Sequence, residues 1–149
     1  MRHAESAIVH VASVEVAVPA DYAFDRLSDA AFVGGWSLGS MGLAQHDGEV
    51  FVGTSLFDRS QAFVEIHPVR KLGLIDYSVG SASHREPRIY IRITDARMLG
   101  WQDSQSIVAL HAIRGGAATP ERWARTCTAH ETEILLIKAQ LERAFGQAA

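Results

Sequence analysis

Residues 119–146, TPERWARTCTAHETEILLIKAQLERAFG, decide the fold. Within them Trp123, Cys127, His130, Ile134, Ile137, Leu141 and Phe145 recur at alternating four- and three-residue steps, which gathers them on one face of an α-helix. Thr119 is placed to cap that helix, Pro120 suits its first position, and Glu121 puts an acid where the dipole favours one. Gly146 is the expected stop, and Arg125, Thr132, Gln140 and Arg143 on the opposite face are expected in solvent. The apolar stripe is aliphatic in its C-terminal half but carries Trp, Cys and His in its N-terminal half. The first half reads as core and the second as the wall of a cavity.

Composition limits what the rest can be. A chain of 149 residues fits one domain over 1–149, with about 70% of its unfolded surface available for burial and no room for a second domain. A net charge of -3, with no basic run or Lys/Arg-rich helical face, argues against nucleic acid as a partner. Cys127 is the only cysteine, so no intrachain disulfide forms, which suits a reducing cytoplasm. Arg2 is followed by Glu5 and His10, which interrupt any apolar run, so neither a secretory leader nor integral membrane association is expected.

From the N-terminus, residues 8–18 read as a first strand, with Val14, Val16 and Val18 on a buried face and Glu15 toward water. Residues 20–36 hold two short helices. The first spans Ala20 to Leu27 with Asp21 as its capping residue, and the second starts at Ser28 and Asp29 and ends at Gly34-Gly35, just before Trp36. Residues 40–114 read as a six-strand meander. Asp47-Gly48 turns the chain between Ser40–His46 and Val50–Phe57, and Asp58–Ser60 closes the next turn. A two-residue turn there would put Ser55 and Phe57 on the inner face with Val64 and Ile66. After His67-Pro68 come strands over Leu72–Val79, Arg88–Arg97 and Gln105–Arg114, with Pro87 in the first intervening loop and Leu99–Ser104 as the second. Ile89, Ile91 and Ile93 should face the helix, while the last strand could turn inward either Ile107, Ala109, His111 and Ile113 or Val108, Leu110 and Ala112.

This order resembles the α+β, helix-grip fold: a seven-stranded antiparallel sheet wrapped around a C-terminal helix of about 40 Å, with two short helices after strand 1. Nearly the whole chain resembles the START-related, birch-pollen-allergen-like superfamily, also called SRPBCC or polyketide cyclase/dehydrase-like. The resemblance is carried by Val14-Glu15-Val16-Ala17-Val18-Pro19-Ala20 running into Phe24-Asp25-Arg26-Leu27-Ser28-Asp29, by Trp36 after the second helix, and by Trp123 early in the last one. It implies a hydrophobic cavity between sheet and helix. It implies no single reaction, because such proteins include lipid carriers, hormone receptors, aromatases and cyclases, and ATPase co-chaperones.

The residues expected around that cavity are Trp36, Phe57, Tyr77, Ile91, His111, Trp123, Cys127 and His130. His130 lies on the apolar stripe, where a partly desolvated imidazole could move a proton, or where it simply bonds to backbone as a core histidine. The Tyr77 hydroxyl would orient a ligand or bond a backbone carbonyl. Cys127 lacks an activating partner other than His130, so a small apolar filler is the plainer reading. Glu131 and Glu133 read as solvent-facing, which leaves no carboxylate pair for hydrolysis. With the seven histidines scattered singly and no phosphate-binding glycine motif, neither metal nor cofactor is expected.

The leading expectation is therefore a module that binds a small hydrophobic molecule, of lipid, polyketide or aromatic kind. The rival is a cyclase/aromatase- or dehydratase-like enzyme using His130 or Tyr77 for proton transfer, and a third reading is a co-chaperone-like interaction domain. Leu135 and Leu136 lie off the main stripe and leave room for a homodimer through the helix, or for a contact with the two short helices.

Overall fold

The computed structural model describes residues 7–101 and 104–148. Arg2 and Glu5, on which the reading of the N-terminus leaned, and the middle of the Leu99–Ser104 loop lie outside these residues. Seven strands form one antiparallel sheet: β1 (Val9–Val16), β2 (Met41–Asp47), β3 (Val50–Thr54), β4 (Gln61–Val69), β5 (Leu74–Gly80), β6 (Arg85–Asp95) and β7 (Ser106–Ile113). Their spatial order is β1-β7-β6-β5-β4-β3-β2. β1 and β2 thus occupy opposite edges, and the chain passes between them through α1 (Ala20–Leu27) and α2 (Ala30–Val33). The terminal helix, α3 (Pro120–Ala148), packs against β1 and β7. This is the helix-grip fold.

α3 begins as its sequence dictates, with Thr119 Oγ1 accepting from the Arg122 N–H at 3.2 Å. It does not stop at Gly146 but continues to Ala148. Two residues expected in solvent are half-buried, each with a partner. Gln140 donates to the Gly35 carbonyl at 2.9 Å, and the Arg125 guanidinium lies 4.8 Å from the centre of the Phe57 ring. α1 has the expected bounds, but Pro19 holds its cap position and Asp21 falls in the first turn, where it pairs with Arg70 at 3.5 Å.

The strands differ from expectation where prolines and turns intervene. Asp47 pairs with Val50, so the hairpin turn is Gly48-Glu49, with Gly48 at φ +55° in the left-handed region that glycine accepts freely. β3 ends at Thr54, which pairs with Gln61, and residues 55–60 form a loop instead of a two-residue turn. Phe57 accordingly sits in a loop and is exposed, although Val64 faces inward as expected. β4 runs through Pro68 into a part of the strand beyond the last β3 pair, Val50 with Glu65, where no β3 partner demands a donor. Pro87 lies within β6, at the register shift between the pairs Tyr77–Ile89 and Val79–Glu86, a bulge that tolerates its missing N–H.

The core lies between one sheet face and the helices. Ile91, Val108, Leu110, Ile137 and Leu141 are fully enclosed there, with Val16, Val18 and Leu27. The last strand therefore turns Val108, Leu110 and Ala112 inward. His111 points to the opposite face and stacks on its cross-strand neighbour Tyr90, with centroids 4.1 Å apart and planes 8° from parallel.

Candidate functional site

A cavity of about 490 Å³ lies between the sheet and the first half of α3. Its walls come from α2 and the loop after it (Val33, Trp36), from inward positions of the sheet (Val64, Tyr77, Leu110, Ala112), and from α3 (Trp123, Ala129, His130, Glu133). Gly34 helps set this arrangement. A Cβ on it would meet the Leu43 backbone nitrogen at 2.4 Å, so only glycine lets the end of α2 close onto β2 and bring Trp36 under α3. Both Trp36 and Trp123 are buried, and neither indole N–H finds a partner among the described residues.

Of the eight residues expected around the cavity, five line it: Trp36, Phe57, Tyr77, Trp123 and His130. Phe57 does so from its loop, beneath Arg125. Ile91 instead belongs to the close-packed core, and His111 lies across the sheet against Tyr90. Cys127 is only half-buried and is absent from the walls. Burial pushes its thiol upward, away from the thiolate that a nucleophile requires.

Tyr77 lines the cavity, but its hydroxyl donates to the Leu27 carbonyl at 2.5 Å. Burial also raises its phenol well above the ordinary range, so it keeps its proton and that bond. Tyr77 therefore ties β5 to the end of α1, and the proton-transfer role considered for it has no geometric support.

The polar centre of the cavity is a pair that includes one residue assigned to solvent. Glu133 is 4% exposed and His130 5%. Glu133 Oε2 accepts from the Leu38 N–H at 2.7 Å, and its Oε1 stands 3.6 Å from His130 Nε2. Burial pushes the Glu133 carboxyl up to about 8, against the Leu38 hydrogen bond that favours the anion. Burial pushes His130 down to about 4, and His10 adds to that effect. Burial thus favours the neutral form of each group and works against an ion pair between them.

Cys127 and Glu133 stand three residues before and after His130, about 60° to either side of it on a helix. The cavity opens on the Glu133 side, together with Thr126 and Ala129.

No protein-family model matches the chain, and no curated protein matches it. Solved structures share its fold. One is XoxI from Bacillus cereus, 11% identical, with a TM-score of 0.67 over 91% of this chain and 96% of that one. Another is the Aha1 dimer from Colwellia psychrerythraea, 10% identical, with a TM-score of 0.66 over 91% and 97%. DynU16, a protein of the dynemicin biosynthetic locus, is 13% identical with a TM-score of 0.60, and the match covers 95% of this chain but 48% of DynU16. The likeness is one of fold, the helix grip.

Proposed function

We propose that this chain, folded as one domain, binds a small and largely apolar molecule of lipid, polyketide or aromatic kind in the cavity between the sheet and the first half of α3. The observation that carries the reading is the cavity itself. Its volume of about 490 Å³ suits a small organic ligand, and its buried walls are aromatic and aliphatic apart from Ser40, Ser55, His130 and Glu133, while its charged residues Asp58, Glu86, Arg88, Arg122 and Arg125 are exposed or half-buried. The relation of DynU16 to a biosynthetic locus supports a ligand of that kind without naming it. Among the described residues no helix is long and apolar enough to cross a membrane, and we take the cytoplasm as the working location. The second reading is an enzyme. It is supported by His130 lying in the cavity wall, whereas the Tyr77 hydroxyl is engaged with the Leu27 carbonyl.

A homodimer is the assembly to test, since one fold neighbour is a dimer and Leu135 is exposed on the outer side of α3. The proposed function itself is tested by extracting the purified chain with organic solvent and examining the extract by mass spectrometry. A co-purified apolar compound at near one equivalent supports a binding module. An empty extract, joined by failure to bind any small aromatic probe, contradicts it.

A further inference from the structure

Of the acids and histidines in the cavity wall, His130 and Glu133, on one turn of α3, are the two that are buried. Leu38 engages only one carboxyl oxygen of Glu133. The other, Oε1, is beyond hydrogen-bond reach of His130 Nε2 at 3.6 Å, and His130 Nδ1 meets no partner among the described residues. Buried polar groups are ordinarily paired, and this turn keeps two facing atoms apart inside a hollow. Two atoms at that separation can each lie about 2.8 Å from a single oxygen placed between them.

We propose that Glu133 and His130 anchor the ligand, holding a hydroxyl oxygen of an otherwise apolar guest between Oε1 and Nε2. This deepens the cavity reading and rests on it. A hydroxyl suits the site because it both accepts and donates: it takes the proton of the Glu133 acid and gives its own to the unprotonated imidazole nitrogen. Burial favours those two protonation states. An alcohol is matched by this arrangement, whereas a hydrocarbon leaves both groups unpaired.

The surroundings set the pH behaviour. From β1, His10 faces His130 and is itself held by Glu131 at 3.0 Å. From β5, Tyr77 is fixed on Leu27. Arg122 and Arg125 on α3, and Asp58 in the β3–β4 loop, are cavity charges with greater access to solvent, as are His84, Glu86 and Arg88 at the β5–β6 end. Solvent screens these, so ionisation of Glu133 is the event that removes the donor as pH rises.

The test is calorimetric titration of the intact chain with a naphthalenemethanol and with the isosteric ethylnaphthalene, from about pH 6 to about pH 9. The wild type should bind the alcohol about tenfold more tightly near pH 6, with the preference falling to about twofold or less near pH 9. Glu133→Gln retains an acceptor for Leu38 and a neutral donor, so its preference for the alcohol should persist across the range. His130→Phe should lose the preference at every pH while still binding the hydrocarbon. Equal binding of the two probes by the wild type, or a preference unchanged up to pH 9, overturns the anchor and leaves the cavity standing. If neither probe binds, the cavity reading falls and the anchor falls with it.

Discussion

The two halves of α3 follow one periodic stripe but meet different surroundings. In the C-terminal half, Ile137 and Leu141 are completely buried, and Phe145 meets Tyr22 of α1 edge-on at 5.0 Å. Polar clamps close the flank there: Lys138 Nζ donates to the Glu15 carbonyl at 2.8 Å, and Glu142 accepts from Lys138 and from the Ala17 N–H, each at 2.9 Å. In the N-terminal half, Trp123, His130 and Glu133 border a hollow, and Trp123 Nε1 and His130 Nδ1 have no partner among the described residues. One helix thus serves as a packed strut at one end and as the wall of a cavity at the other. What distinguishes them is the layer opposite: Tyr22 of α1 and residues 15–17 close on the second half, whereas the first half faces Trp36 and the sheet across the cavity.

The sharpest test of that contrast is truncation. Leu141→Ala should cost about 2–5 kcal/mol in urea unfolding, because it leaves a void in close packing. Thr126→Ala, in the cavity wall, should change stability by no more than about 0.5 kcal/mol, and equal losses at the two sites would erase the distinction.

The next effect is a pH dependence confined to the cavity half. Glu133, raised by burial from 4.5 to about 8, keeps its proton in the folded chain after an unfolded glutamate has lost it, so its effect is a fall in stability as pH rises through that window. His130, lowered by burial from 6.5 to about 4, is neutral while an unfolded histidine is charged, so its effect is a rise in stability across that window. The two oppose each other up to 6.5, and Glu133 acts alone from there to about 8. Urea midpoints should therefore be nearly level between pH 4.5 and 6.5 and decline above that. Glu133→Gln should abolish the decline and gain on the order of a few kcal/mol over the wild type at the alkaline end, at about 1.4 kcal/mol per pKa unit. A wild-type curve that stays level to pH 8 would show that the pair is not desolvated as described.

Smaller effects belong to the ends of α3. Thr119→Ala removes a cap and should cost about 0.5–2 kcal/mol in thermal or urea unfolding. Glu142→Gln should cost about 1 kcal/mol or less at neutral pH. Burial works against the Glu142 charge, but the bonds from Lys138 and Ala17 outweigh it and hold the carboxyl below its ordinary value. That contribution is present above the ordinary carboxylate range and is lost as pH falls through the lowered value, so the variant and wild type should converge in acid.

Much of this contrast was legible in the residues. The bounds of α1, the Thr119 cap and the inward isoleucines of β6 follow from periodicity and capping, which are local. The misses came from facts held by neighbours. Glu133 looked like a solvent acid because nothing local says that the Leu38 N–H will meet it, or that the cavity lies on that side of His130. His111 sat on a strand whose two faces are equally apolar, so only the pairing of β7 between β1 and β6 and the packing of α3 decided which face turned inward. Phe57 carried a strand-like pattern into residues that form a loop, because the turn after β3 holds six residues, a length that the pattern of side chains does not specify.

The central claim is that an apolar guest enters beneath the first half of α3 and nowhere else along it. Naphthalene titrated into nitrogen-labelled chain, followed by two-dimensional NMR, tests this directly. The indole N–H signals of Trp36 and Trp123 should shift together and saturate, while that of Trp101, 48% exposed and outside the cavity, and the amides of Leu141 and Phe145 stay in place. Shifts centred on Leu141 and Phe145, or indole signals of Trp36 and Trp123 that do not move, would contradict it.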